Sequence, residues 1–241
     1  MPNDRLLDIV REEKKELRKL EGGEFLSKRF IATVAFSSLF LVACGQTATE
    51  SIHSSLEEAA EIENEGFDEQ QQPMMDAEEH EAELYSQIVD LDMDAYDEIV
   101  RLADEAIASV GERRELLSNE QESIEEGYNV FENAVADFSE LEDENLVDLA
   151  NDVQEAMDNR YASYQDLHTI YEESLDLDEQ LYEMLKDEEL DAETLTAHIE
   201  ETNQKYEERR EATEQFNEYT TAYNDAKRAF YEASDLEVRF E

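Results

Sequence analysis

The chain has one cysteine, Cys44, and its setting gives that thiol a chemistry. It closes the run Leu41-Val42-Ala43-Cys44 and precedes Gly45. Lys28 and Arg29 stand upstream, followed by the nearly unbroken apolar stretch Phe30 to Ala43. A basic start, a short apolar segment and small residues before a cut are the grammar of a secretory signal. A spanning helix needs roughly twenty apolar residues, more than this stretch supplies. The competing reading is a buried free cysteine in a core helix. Other groups with suggestive spacing lead nowhere firm. Glu50-x-x-His53 has the spacing that bundles use for paired metals, but His80, His168 and His198 do not repeat it. Asp90-x-Asp92-x-Asp94 opens like a calcium loop, yet Ala95 and Arg101 fill the positions that need Gly and Glu. It reads as a capped turn, with weak cation binding as the alternative. The sequence has no His-Glu-x-x-His, no glycine-rich phosphate loop and no second cysteine. No catalytic residue, metal site or diffusible cofactor is assigned.

Leu-x-Ala-Cys at the end of such a run resembles the lipobox of bacterial lipoproteins. The resemblance implies cleavage before Cys44, a diacylglyceryl thioether on its sulfur and an N-acyl chain. Two or more acyl chains hold a protein stably to a bilayer, whereas one does so only marginally. Residues 1–43 are therefore expected to be a signal peptide, and 44–53 a lipidated cysteine with its tether. The expected place of work is the outer side of the cytoplasmic membrane. Residues 1–25 are polar and longer than a signal's basic start requires. They suggest translation from Leu26, read from a TTG codon behind a ribosome-binding sequence over residues 20–23. The alternative is a genuine N-terminal extension.

Charge narrows the possible partners. From Cys44 onward the chain holds 60 acids against 11 bases, a net charge of −49. Nucleic-acid binding needs a basic footprint and is excluded as a general activity. Anionic lipids and wall polymers are repelled unless salt screens them. At about 1 M salt the Debye length is roughly 3 Å, so the acid excess reads as adaptation to saline surroundings. A dedicated cation-binding surface is the sharper alternative.

High charge alone would also fit disorder, but the apolar pattern does not. Val100, Ile107, Arg114, Gln121, Tyr128 and Val135 run beside Ala103, Val110, Leu117, Ile124, Phe131 and Phe138 as two heptad seams. Leu146, Val153, Arg160, Leu167, Ser174 and Leu181 pair with Leu149, Ala156, Ser163, Ile170, Leu177 and Met184. A wetter pair runs from Leu195 to Phe230 and from Ile199 to Thr220, and a weaker stripe from Leu56 to Leu91. Acidic breaks at 90–94, 139–143 and 186–191 separate them, and Ser54 or Ser55 would cap the first. Pro73 predicts a kink. Short connections make neighbouring helices antiparallel. Three helices of about 45 residues would each run roughly 65 Å. The expected fold is all-α: an elongated up-and-down antiparallel bundle of about four long helices, with coiled-coil-like packing, over 54–236.

Arg114, Arg160 and Arg209 fall on these seams. Counted along the bundle, Arg114, Arg209 and Asp166 reach similar heights, and Arg160 comes near Glu63 and Glu65. A structural polar layer of Arg114, Arg160, Arg209 and Asp166 is expected, because buried charges need partners and can fix register. A ligand site on those arginines is the alternative. Tyrosines such as Tyr161, Tyr164, Tyr171, Tyr206, Tyr219 and Tyr223 read as core edge, with sugar stacking as the alternative.

The segments Leu84–Leu91, Tyr96–Val100, Glu112–Leu117, Asn159–Tyr164, Leu181–Asp187 and Phe216–Thr220 are similar, in order and spacing, to the YkyA-type cell-wall-binding lipoproteins of Gram-positive bacteria. The resemblance covers Leu56 to Ala233. It implies a long helical bundle on the outer face of the membrane and no catalytic residues. The far greater acidity of this chain is a departure, which opposes attraction to anionic wall polymers. The expected function is that of a noncatalytic, lipid-anchored envelope protein contacting cell-wall material or another envelope protein. The alternative is a lipoprotein binding an ion or small ligand through its acidic surface or arginine layer.

Overall fold

A computed structural model describes residues 47–234 and 236. The expectations for 1–43 and for Cys44 itself lie outside the described residues. Four long helices account for almost all of the rest: α1 (Ala48–Asp90), α2 (Tyr96–Asp137), α3 (Glu144–Leu185) and α4 (Ala192–Ala233). Short 3-10 turns occupy Met93–Ala95 and Phe138–Glu140. The fold is all-α, an antiparallel helical bundle, with no strand among the described residues.

Local chemistry explains where the helices start. Asp191 accepts hydrogen bonds from the backbone N–H groups of Glu193 and Thr194 at the head of α4. Asp143 does the same for Asn145 and Leu146 at the head of α3. The first helix begins earlier than the caps at Ser54 or Ser55 would have it. Thr47 and Glu50 form a reciprocal capping box: Thr47 N–H donates to the Glu50 carboxylate at 2.9 Å, and Glu50 N–H to Thr47 Oγ1 at 3.3 Å. The expected tether from 44 to 53 is therefore helical from Ala48. Pro73 lies inside α1, which runs through it.

The described chain divides into two compact units. Unit 1 gathers Glu69–Asn119 and Leu167–Thr213; unit 2 gathers 47–68, Glu120–Asp166 and 214–234. Unit 1 has an aliphatic core built on Leu84, Ile88, Leu102, Val110, Leu175 and Leu195. Unit 2 is more aromatic, with Phe131, Phe138, Tyr223, Phe230 and Tyr231 around Leu56, Val153 and Met157.

Candidate functional site

The heptad phase decides which charges are inside. Along α2 and into the 3-10 turn that follows it, the seam Ala103, Val110, Leu117, Ile124, Phe131 and Phe138 is buried. Its partner seam is Ile99, Ala106, Arg113, Glu120, Gly127 and Ala134, one residue away from the expected one. Val100, Ile107, Arg114, Gln121, Tyr128 and Val135 sit half-buried on the flank. Alanine, glycine and paired charges fill core positions here, so the more apolar stripe was the wrong guide. The same slip occurs in α3, where Ala150, Met157, Tyr164, Asp178 and Leu185 are buried.

This phase moves the arginine. Arg114 lies on the flank of unit 1, its side chain 32% exposed, and pairs with Glu172, Asp176 and Glu179 of α3. Its neighbour Arg113 is buried at 3% exposure, a position that pattern reading missed. Arg113 Nη1 is 2.5 Å from a Glu81 oxygen and 3.2 Å from an Asp178 oxygen, while Nη2 is 3.7 Å from Glu78. Three tyrosine hydroxyls complete the network. Tyr182 donates to Glu81 at 3.1 Å, Tyr171 to Glu78 at 2.7 Å, and Tyr206 to Asp178. Arg209 stacks over the rings of Tyr171 and Tyr206 at 4.5 and 5.1 Å, with Glu78 3.8 Å away. Unit 1 thus buries two guanidiniums among three carboxylates and three phenols.

Burial pushes the Glu81 carboxyl up to about 7, Arg113 pulls against it and Asp178 adds to it. Burial, aided by Glu78, likewise pushes the Tyr171 phenol up to about 12, which keeps it a neutral donor. The Tyr206 phenol is raised by burial and then by Asp178.

Unit 2 has its own buried ion pair. Arg160 reaches Glu63 at 2.8 Å through Nη2 and at 3.0 Å through Nη1, and its Nε donates to Thr220. Its guanidinium lies over Phe216 and Tyr223, at 5.1 and 5.9 Å from the ring centres. Glu65 and Asp166, also expected near the arginines, are exposed in unit 2. Around Glu63 the helices approach closely. A Cβ on Gly127 would come within 2.5 Å of Glu63 Cγ and 3.1 Å of the Ala59 carbonyl. One on Gly66 would run into Ser123. Elsewhere in unit 2, Tyr231 donates to Glu57 at 2.8 Å, and Lys227 sits 3.4 Å from the same carboxylate. Burial holds the adjacent His53 below its ordinary value; Glu57 opposes this and Lys227 reinforces it.

Among the tyrosines, Tyr164, Tyr171, Tyr206 and Tyr223 are core or core edge. Tyr161 is half-buried and stacks on Tyr128 with ring centres 4.0 Å apart, while Tyr128 donates to Asp158 at 2.9 Å. These arginines and tyrosines are held by the protein's own helices, an arrangement that organises a core. No group of three His, Cys, Asp or Glu side chains among the described residues is arranged to hold a metal. Nor does any described helix have the length and apolarity to cross a membrane.

Residues 47–233 match the family described as "Putative cell-wall binding lipoprotein", YkyA. That span coincides almost fully with the four-helix region. The chain belongs to this family. The chain is 34% identical over 203 residues to "Uncharacterized lipoprotein YkyA" of Bacillus subtilis (strain 168), covering 84% of this chain and 91% of that protein. No solved structure matches the chain. Membership in the YkyA family associates the chain with the envelope and with lipoproteins rather than with an enzyme class.

Proposed function

We propose that this protein is a noncatalytic lipoprotein, anchored through Cys44 on the outer side of the cytoplasmic membrane, whose helical bundle contacts cell-wall material or another envelope protein. The observation that carries the anchoring is Leu41-Val42-Ala43-Cys44 at the end of a signal-like apolar run, immediately before the family's span. The bundle supplies a stable body, and its buried charges are paired internally rather than left for a ligand.

The head of α1 sharpens the picture. Its capping box sits at Thr47, so few residues separate the helix from Cys44. Four extended residues reach about 14 Å at most. Ile52 and Leu56, in the next turns, are fully buried, and Ser51 bonds Asp137 at 2.6 Å. The proposed lipid site thus lies within about 14 Å of packed structure, which holds this part of unit 2 close to the headgroups. Glu50 in the first turn of α1 and Asp137 bonded to Ser51 are both acidic, so adhesion depends on the acyl chains and not on attraction to anionic lipid.

Cys44→Ser tests the anchor: acyl label and detergent-phase partitioning should both disappear. An acyl-labelled, membrane-held Cys44→Ser protein would overturn it. Sedimentation with purified sacculi, at low and high salt and with and without divalent cations, tests the partner. Cosedimentation that salt or cations strengthen is expected, because screening relieves repulsion between two anionic surfaces. Absence of cosedimentation under every condition would remove wall material as the partner.

A further inference from the structure

Three ion-paired clusters with buried charges can be compared among the described residues, and they differ in balance. Arg160 and Glu63 are one base and one acid, with Thr220 and two aromatic rings around the guanidinium. Lys227 and Glu57 are likewise one to one. The cluster in unit 1 is not balanced. Arg209 and Glu78 lie beside each other, which leaves Arg113 facing both Glu81 and Asp178. Both carboxylates reach for the same nitrogen, Nη1, so they confront each other across it. Side-chain exposure is 4% for Arg113, 8% for Glu81 and 3% for Asp178. Water is thus poorly placed to screen the surplus negative charge. Two carboxylates sharing one site do not both ionise easily, and a proton held between them removes the repulsion.

We infer that Glu81, Asp178 and Arg113 form a proton-operated lock in unit 1: tight when the two carboxylates hold one proton, loosened when that proton leaves. The surroundings on every helix fit this use. Glu78 lies nearby on α1, and Tyr171 and Tyr182 face the cluster from α3. From α4 come Tyr206, which binds Asp178, and Arg209. Arg113 is the residue of α2 that enters; Arg114 turns outward to Glu172. Each phenol is a neutral donor, so none can take up the excess charge. The carboxyl pair is the group left to respond, with Glu81 as the main seat of the proton.

The sign follows from the shift. The Glu81 carboxyl is raised from 4.5 in the unfolded chain to about 7 in the fold. Its contribution to stability is full below pH about 4.5 and is lost as pH rises through about 7. Unit 1 should therefore be tighter in mild acid and looser in mild alkali, the reverse of ordinary acid denaturation.

The test is carried out on the full chain at constant high ionic strength. Carbon-detected NMR of the glutamate carboxyls follows titration directly, and Glu81→Gln identifies the signal by its loss. Hydrogen exchange in unit 1, corrected for the intrinsic effect of pH, reports loosening. Histidine ordinarily titrates in the same range, so the comparison between variants carries the result. In the parent, the Glu81 signal should titrate near neutrality, and protection in unit 1 should fall by about tenfold or more on going from pH 5.5 to 8. Glu81→Gln, which imitates the protonated state, should keep high protection throughout. Asp178→Asn removes the competing charge and should move the Glu81 titration to clearly lower pH, a readout that stands even if Glu81→Gln folds poorly. A Glu81 carboxyl titrating below pH 5 in the parent, a titration unmoved by Asp178→Asn, or a Glu81→Gln profile that parallels the parent would each overturn the inference.

Discussion

Arg113 and Arg114 are adjacent and chemically identical, yet the fold gives them different work. Arg113 is sealed among Glu81, Asp178 and Glu78; Arg114 stretches across a half-open flank to three α3 acids. Removing one partner of a buried charge group strands the others and costs about 3–5 kcal/mol. A flank pair is worth at most about 1 kcal/mol. Arg113→Met should therefore lower stability by about 3–5 kcal/mol, and Arg114→Met by less than about 1 kcal/mol, in denaturant titrations. Equal losses would mean that the burial contrast between the two is illusory. A variant with Arg113, Glu81 and Asp178 all replaced by Met or Leu should recover much of the loss, because packed apolar groups can replace a buried charge cluster. Sequence periodicity located the arginine-bearing seams but chose the wrong neighbour. Val100, Ile107 and Val135 are more apolar than Ala106, Gly127 and Ala134, and hydropathy cannot register that small residues permit closer packing.

At the scale of the helix, the same close approach makes a further distinction. Gly66 faces Ser123, Gly127 faces Glu63 and the Ala59 carbonyl, and Gly111 faces nothing within 4 Å. Gly66→Ala and Gly127→Ala should each cost about 1–3 kcal/mol through overpacking. Gly111→Ala, on an exposed stretch of α2, should instead stabilise by about 0.5–1 kcal/mol, since alanine is the better helix former. Thermal melts of the three variants check the contrast, and a uniform stabilisation would show that the helices do not approach so closely. Helix number, order and breaks were legible from heptads and from the acidic breaks at 90–94, 139–143 and 186–191; that Asp143 and Asp191, the last residues of two of them, cap α3 and α4 is seen in their hydrogen bonds. The start of α1 was not. Ser54-x-x-Glu57 and Ser55-x-x-Glu58 have the same cap grammar as Thr47-x-x-Glu50, and only the burial of Ile52 and His53 shows that the helix is already under way. The ion pair of Arg160 with Glu63 followed from counting residues along antiparallel helices. A seam displaced by one residue turns a side chain by about 100°, which is why periodicity chose Arg114 in place of the buried Arg113. The pairing of Asp166 with Arg114 and Arg209 failed in height instead: Arg114 meets α3 at Glu172, Asp176 and Glu179, about two or more turns further along, and Asp166 falls in unit 2.

Over the whole molecule, charge is the dominant feature. A formal net charge of −48 opposes compaction, with 67 acids against only 19 lysines and arginines. Adding salt from a few tens of millimolar to about 1 M shortens the Debye length from over 10 Å to roughly 3 Å. The melting temperature should rise by several degrees over that range, and helical circular dichroism checks it. A melting point indifferent to salt would show that the acids are spaced widely enough not to matter, and with it the proposed suitability for saline surroundings would fall. The same charge governs function. It turns the surface away from anionic polymers and lipids, so that under the proposed function the acyl chains on Cys44 are what would keep the protein at the membrane. The most direct measurement is mass spectrometry of the N-terminal peptide from the protein as extracted from its producing cells. A peptide beginning at Cys44 and carrying a diacylglyceryl group, recovered from the membrane fraction, is the expected result. An intact peptide running through Ala43-Cys44 with an unmodified thiol, recovered from the soluble fraction, would contradict the account.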